Sequence, residues 1–180
     1  MRLFVAIPLP SPVIEALDGL RRSLRLPGDG LRWSSPETWH ITLQFLGECS
    51  ADTSDCVIER LAEIRSPRVP VSLHGTGIFD RAGVFWAGVE VSGELAELER
   101  LVVRATGQCG LIAEDRPFHP HVTLARAKGD DRVSVLRKLQ RRASQDFDFP
   151  PFIATEFLLY ESFTGSGGTR HEVRRRFPLR

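Results

Sequence analysis

Displaced by 81 residues against itself, the 180-residue sequence meets its own likeness. Phe4 falls on Phe85, Ala6 on Ala87, Ser11 on Ser92, Leu17 on Leu98 and Leu20 on Leu101, without a gap. The same displacement lays His40 on His121, Thr42 on Thr123 and Leu43 on Leu124. Apolar coincidences alone arise by chance; a His-x-Thr pair kept in the same register points to a duplicated unit. The repeat, approximately residues 3–66 and 84–143, restricts the fold to two similar halves, each running strand, helix, strand, helix. No linker is long enough to part them. Residues 1–180 are therefore expected to form one α+β domain of two pseudo-symmetric lobes, each an antiparallel sheet backed by helices.

Local signals follow the same plan. Leu3 to Leu9 and Val84 to Val91 are rich in β-branched and aromatic residues, as strands are. Ser11-Pro12 predicts an N-cap with proline at the first helical position, followed by Ile14, Leu17, Leu20 and Leu24 at helical spacing. Ser92 opens the matching helix, with Leu95, Leu98, Leu101, Val102 and Ala105 on its apolar side. Val57, Ile58, Leu61 and Ile64 mark another helix, ended by Ser66-Pro67, and a basic one runs from about Arg132 to Ala143. Val69 to Phe79, Phe152 to Phe163 and His171 to Leu179 are expected strands, with a turn at Gly165-Ser166-Gly167-Gly168.

Composition narrows the function. With 24 basic and 23 acidic residues the net charge is +1, which excludes a strongly cationic coat for duplex nucleic acid but not a grip on one phosphate or an RNA end. No apolar run approaches a membrane span, and the first residues are too short an apolar run for a signal peptide. Three cysteines, Cys49, Cys56 and Cys109, are an odd number without Cys-x-x-Cys spacing, so the expectation is a reduced, cytoplasmic protein without disulfides.

In Trp39-His40-Ile41-Thr42-Leu43 strand alternation sends His40 and Thr42 to one face and Ile41 and Leu43 to the other; His121-Val122-Thr123-Leu124 repeats the pattern. Related by a pseudo-twofold, both pairs can face one cleft. Two imidazoles with two hydroxyls between them suit in-line displacement at phosphorus: one imidazole donates a proton to the departing alkoxide, the other takes one from water. An unperturbed histidine pKa of about 6.5 populates both forms near neutrality. The hydroxyls would donate to the non-bridging oxygens, and no metal or other cofactor is required.

These residues resemble the bacterial and archaeal RNA 2′,3′-cyclic phosphodiesterases, also called 2′-5′ RNA ligases, of the 2H phosphoesterase superfamily. Trp39 to Glu48 is similar to the family's first block and Arg116 to Arg126 to its second. Arg2 to Ile7 and Phe157 to Ser162 are similar to its opening and closing strands. The resemblance implies a bilobal 2H fold with a central groove, and metal-independent hydrolysis of RNA 2′,3′-cyclic phosphate ends to 2′-phosphomonoesters. The reverse 2′-5′ ligation is the same catalyst run backward. It implies His40 as proton donor and His121 as acceptor, a division that near-identical motifs do not settle by themselves, with Thr42, Thr123 and Arg126 as phosphate binders. The implied partner is an RNA end, tRNA fragments included, met by a monomer. Where family members often carry a tyrosine in the last strand, this chain has His171.

Other residues read more plainly. His119, two before His121, lacks companions for a zinc site and is read as a supporting or structural residue; His74 is read as structural. Phe45, five residues after His40, alternates to the opposite face and is expected in the core. The basic runs Arg137–Arg142 and Arg170–Arg180 read as solvated faces or as guides for RNA. Two alternatives stand beside the lead: a phosphodiesterase for small cyclic phosphates such as that of ADP-ribose, and an RNA-binding module without turnover.

Overall fold

In the computed structural model, residues 1–112, 115–143, 147–165 and 168–180 are described. The apolar run after Met1 becomes strand β1 (Arg2–Pro8), whose Leu3 to Ile7 are all buried. Helix α1 (Ser11–Leu24) follows and buries Val13, Leu17, Leu20 and Leu24. Its N-cap is Pro10, not the expected Ser11, and no side chain caps it. Pro10 is already extended at ψ 156°, so the helix starts one residue early and Pro12 still falls in the first turn, where no amide proton is needed. A short strand β2 (Leu31–Trp33) and a 3-10 turn (Pro36–Thr38) lead into β3 (His40–Glu48) and α2 (Ala51–Ala62).

The chain then forms β4 (Val69–Val71), β5 (Leu73–Phe79), β6 (Val84–Val89), α3 (Gly93–Gly107), β7 (His121–Ala127) and α4 (Arg132–Arg142). Ser92 Oγ caps α3 as expected, accepting from Leu95 N–H at 3.1 Å. Strands β8 (Phe152–Ala154), β9 (Glu156–Gly165) and β10 (Gly168–Pro178) complete it. Within the expected turn at 165–168, Gly165 pairs with Gly168, and Ser166 and Gly167 lie outside the described residues. Two expected long strands are each cut in two, Val69–Phe79 at Ser72 and Phe152–Phe163 at Thr155. The severed ends pair with each other, β4 with β8, as a separate two-stranded ribbon. Among the described residues no helix is long and apolar enough to cross a membrane.

Two four-stranded sheets result, ordered β10-β9-β1-β3 and β2-β7-β6-β5, with antiparallel pairings throughout. β1–β3 in one sheet corresponds to β6–β7 in the other. Ala6 lies opposite Thr42, and Trp86 opposite Thr123; Pro8 lies opposite His40, and Gly88 opposite His121. The structural offset is therefore 81 residues for β3 and β7 but 80 for β1 and β6. Phe4 corresponds to Val84 and not, as the gapless alignment has it, to Phe85. A one-residue slip reverses the face of every side chain on a strand. Phe4 accordingly lies against His40, whereas Phe85 points into the core and is wholly buried.

The expectation of three reduced thiols is also overturned. α2 and α3 pack together, which brings Cys56 and Cys109 to a Cα–Cα distance of 5.9 Å, and they form a disulfide. Cys49 stays free and buried. Spacing along the chain could not disclose a bond made by helix packing across 53 residues.

Candidate functional site

β3 and β7 lie side by side, one from each sheet, and their burial alternates identically over seven residues from His40 and from His121. His40, Thr42, His121 and Thr123 are each half-buried, while Ile41, Val122, Leu43 and Leu124 are in the core. The proximity of the two histidines registers electrostatically: the charge of His121 bears on His40. The four residues of the two His-x-Thr motifs thus occupy equivalent places on two neighbouring strands.

Each imidazole is held by the same device. His40 Nδ1–H donates to Thr38 O at 2.8 Å, and His121 Nδ1–H donates to His119 O at 2.8 Å. Both bonds reach back two residues to a backbone carbonyl, which fixes the tautomer and leaves each Nε2 with its lone pair. Rings complete the setting. Phe4 lies 4.7 Å from His40 between centroids, Tyr160 6.0 Å and His171 5.2 Å, the last edge-on at 85°. Around His121 stand Phe79 at 5.0 Å, Trp86 at 6.2 Å and His119 at 6.3 Å. Trp86 faces Gly77 across the ladder, where a Cβ would come within 2.2 Å of the indole; the bare glycine lets that ring lie over β5.

Alternation fails beyond the threonines. In β3 both Leu43 and Gln44 are buried, because Val5 pairs with Gln44 and Ala6 with Thr42, leaving Leu43 as the extra residue of a bulge. In β7 Leu124 is the extra residue between Thr123 and Ala125. A bulge shifts the parity of everything after it. Phe45 therefore stands on the His40 side and is 55% exposed, correcting its expected place in the core. Its ring lies 6.1 Å from Phe4. By the same 81-residue offset Arg126 is its counterpart, exposed on β7. Thr106 on α3 donates its hydroxyl to Gln44 Oε1 at 2.8 Å, so a helix of one half buttresses the bulge of the other.

Burial and company depress the imidazoles. Burial first, then the neighbouring His171, lowers His40 to about 4, against the opposing pull of the Thr38 carbonyl. Burial also lowers His121, opposed by the His119 carbonyl and helped by the charges of His119 and Arg126. Both rings are thus shifted toward the neutral form, away from the even balance expected of an unperturbed histidine. Burial, then Arg32 and Arg2, lower Arg126 as well.

His119 acts through its carbonyl and packs its ring on Phe79 and Trp86, in keeping with a supporting role. His74 is exposed on β5. His171, set apart in the sequence as lying outside both motifs, belongs to the surroundings of His40; its Nδ1 is buried without a partner. The β9–β10 hairpin, joined through β9 to β1 and so to β3, brings it there. The basic C-terminal run is largely neutralised, Arg170 by Glu172, Arg174 by Glu161 and Arg176 by Glu156. Among the described residues no group of three or more His, Cys, Asp or Glu side chains is placed to hold a metal ion.

The sequence profile of the family described as LigT-like phosphoesterase matches residues 7–86 and again 89–171. An RNA 2′,3′-cyclic phosphodiesterase of Escherichia coli is 30% identical over 185 residues, 99% of this chain and 96% of its own. One from Aeropyrum pernix is 40% identical over 133 residues, 72% of this chain and 76% of its own. Escherichia coli LigT complexed with 3′-AMP superposes with a TM-score of 0.81 at 28% identity, covering 99% of this chain and 96% of that one. A Thermus thermophilus protein of solved structure, TT0787, gives 0.78 at 27% identity, covering 99% and 98%.

Proposed function

The chain belongs to the LigT-like phosphoesterases, and from that premise we propose that it hydrolyses the 2′,3′-cyclic phosphate at an RNA end to a 2′-phosphomonoester without a metal ion. His121 Nε2 takes a proton from water as its oxygen attacks phosphorus. The bond from phosphorus to O3′ breaks, and His40, protonated once substrate is bound, delivers its proton to that oxygen. Thr42 and Thr123 donate hydroxyl hydrogen bonds to the non-bridging oxygens, and Arg126 supplies a guanidinium for the same charge. The reverse 2′-5′ joining uses the same groups with roles exchanged. The whole of residues 1–180 acts as one bilobal unit around the groove.

One observation carries this reading: two Nδ1–H···O=C locks at equivalent positions on neighbouring strands leave the Nε2 of each histidine with its lone pair. A binding module without turnover has no use for paired proton-transfer groups. The names of the relatives support RNA ends over other cyclic phosphates.

The test uses an RNA oligonucleotide ending in a 2′,3′-cyclic phosphate, with EDTA present throughout. Wild-type protein forms a 2′-phosphate, and His40→Ala and His121→Ala each lose about 10²–10⁴-fold in kcat. Near wild-type turnover in both variants would refute the two-histidine scheme; activity abolished by EDTA and restored by a divalent ion would refute its metal independence. An activated leaving group divides the roles, because it departs without an acid: His40→Ala recovers on it and His121→Ala does not.

A further inference from the structure

Three exposed arginines, Arg2, Arg32 and Arg126, lie within electrostatic range of one another, Arg126 and Arg32 level with Phe45 and Arg2 beyond it. Arg2 is two residues from Phe4 on the same face of β1, the face that packs on His40. Arg32 stands directly opposite Arg126 in the pairing of β2 with β7. Its guanidinium donates to Thr169 Oγ1 of β10 at 3.5 Å, so the side chain reaches from one sheet to the other. The charges of Arg32 and Arg2 both bear on Arg126.

Like charges directly across a ladder are unfavourable, and among the described residues no ion pair relieves this set. None of the ion pairs among the described residues includes Arg2, Arg32 or Arg126. Glu48, opposite Arg2 in the register, has its carboxylate 3.4 Å from the Met1 ammonium. The contrast with β10 is informative, since three of its arginines each have a carboxylate. Three exposed cations with no ion pair among the described residues suit anionic charge, and the proposed reaction gives Arg126 only one phosphate.

On the reading above, we propose that Arg2 and Arg32 form a second phosphate subsite, which takes the phosphate on the 5′ side of the terminal nucleotide. Position and chemistry agree. Along β3 the order is His40, Thr42, Phe45 and then Glu48, the partner of Arg2. Along β7 it is His121, Thr123 and then Arg126, the partner of Arg32. Arg2 lies past Phe45 and Arg32 level with it across from Arg126, so with the terminal base over Phe45 the surplus charge would lie within reach of the next phosphodiester of an RNA strand. Two planar guanidinium forks suit its paired oxygens. The subsite would make the enzyme select substrates with a second phosphate over a bare cyclic mononucleotide.

Three substrates test this: cytidine 2′,3′-cyclic phosphate, the same nucleotide with a 5′-phosphate, and an RNA decamer ending in the cyclic phosphate. Arg2→Gln and Arg32→Gln should each lower kcat/KM on the decamer about tenfold and leave the bare mononucleotide unchanged. Each should also flatten the dependence of log(kcat/KM) on log salt by about 0.7. A loss shared by the 5′-phosphorylated mononucleotide means that the subsite recognises any phosphate there; a loss confined to the decamer means that it recognises the strand. Equal losses on all three, or none on the decamer, would overturn the subsite. Wild-type protein that hydrolyses none of the three would instead overturn the proposed activity. Binding of a decamer with a 2′-phosphate, read by fluorescence anisotropy, then decides the subsite alone: weaker binding in both variants upholds it and unchanged binding rejects it.

Discussion

A histidine held at about 4 carries no proton to give at neutral pH, and in the proposed reaction a bound phosphate anion would have to raise it. A phosphate anion about 4 Å from the ring, at an effective dielectric constant of about 20, stabilises the imidazolium by about 4 kcal/mol. At about 1.4 kcal/mol per pKa unit this is roughly three units, enough to bring His40 to about neutrality. On the proposed mechanism the imidazolium would then form only with substrate bound. kcat/KM reports the free enzyme and kcat the bound one. The alkaline limb of kcat should therefore lie up to about three units above that of kcat/KM, with the kcat/KM maximum on the acid side of about 6.5. The two rings share a field, so the limbs belong to the pair. Steady-state kinetics across the acid-to-alkaline range gives the answer, and coincident limbs would mean that the phosphate does not lift the acid.

At the scale of the strand the deciding feature is the bulge. Strict alternation sends Phe45 inward, and one extra residue at Leu43 sends it to the groove. These two placements differ in what Phe45→Ala costs. A core phenylalanine would lose about 3–5 kcal/mol of stability. A groove phenylalanine that stacks on a base should instead lose about 1–3 kcal/mol in kcat/KM on RNA ends, with stability changed by less than about 0.5 kcal/mol. Urea unfolding beside the kinetic assay separates them, and a large stability loss with unchanged kcat/KM would put the ring back in the core. The same feature marks the limit of what the sequence discloses. His40, Thr42, His121 and Thr123 are legible because they precede both bulges, where period-two alternation still holds. Phe45 is not, because parity after a bulge is set by pairing with another strand. The one-residue slip between β1 and β6 is hidden for the same reason: matching Phe4 with Phe85 honours residue identity, whereas the ladder honours the face. His171 requires β9 to pair with β1 as well, a long-range contact that the expected strands and the turn between them do not disclose.

Across the whole molecule the two halves are joined by more than a shared groove. Thr106 supports the bulge beside Phe45, and three residues later Cys109 ties the end of α3 to Cys56 on α2. The bond therefore links the helix that follows the first motif to the helix that precedes the second. Closing 53 residues removes unfolded-state entropy worth about 4 kcal/mol at 25 °C in the chain-entropy account, a large share of the ~5–15 kcal/mol by which a domain is stable. Neither cysteine lies on a His-x-Thr strand, so its contribution is to stability and not to proton transfer. Protein unfolded without reductant should then show one reactive thiol, Cys49, and three after reduction. Dithiothreitol, or Cys56→Ser, should lower the unfolding free energy in urea by up to about 4 kcal/mol while kcat at room temperature stays near wild type in the folded fraction. Three free thiols in unreduced protein would mean that the helices pack without the bond. A loss of kcat with no change in the urea midpoint would place the link in the catalytic geometry, where the strands and their carbonyl locks already hold both histidines.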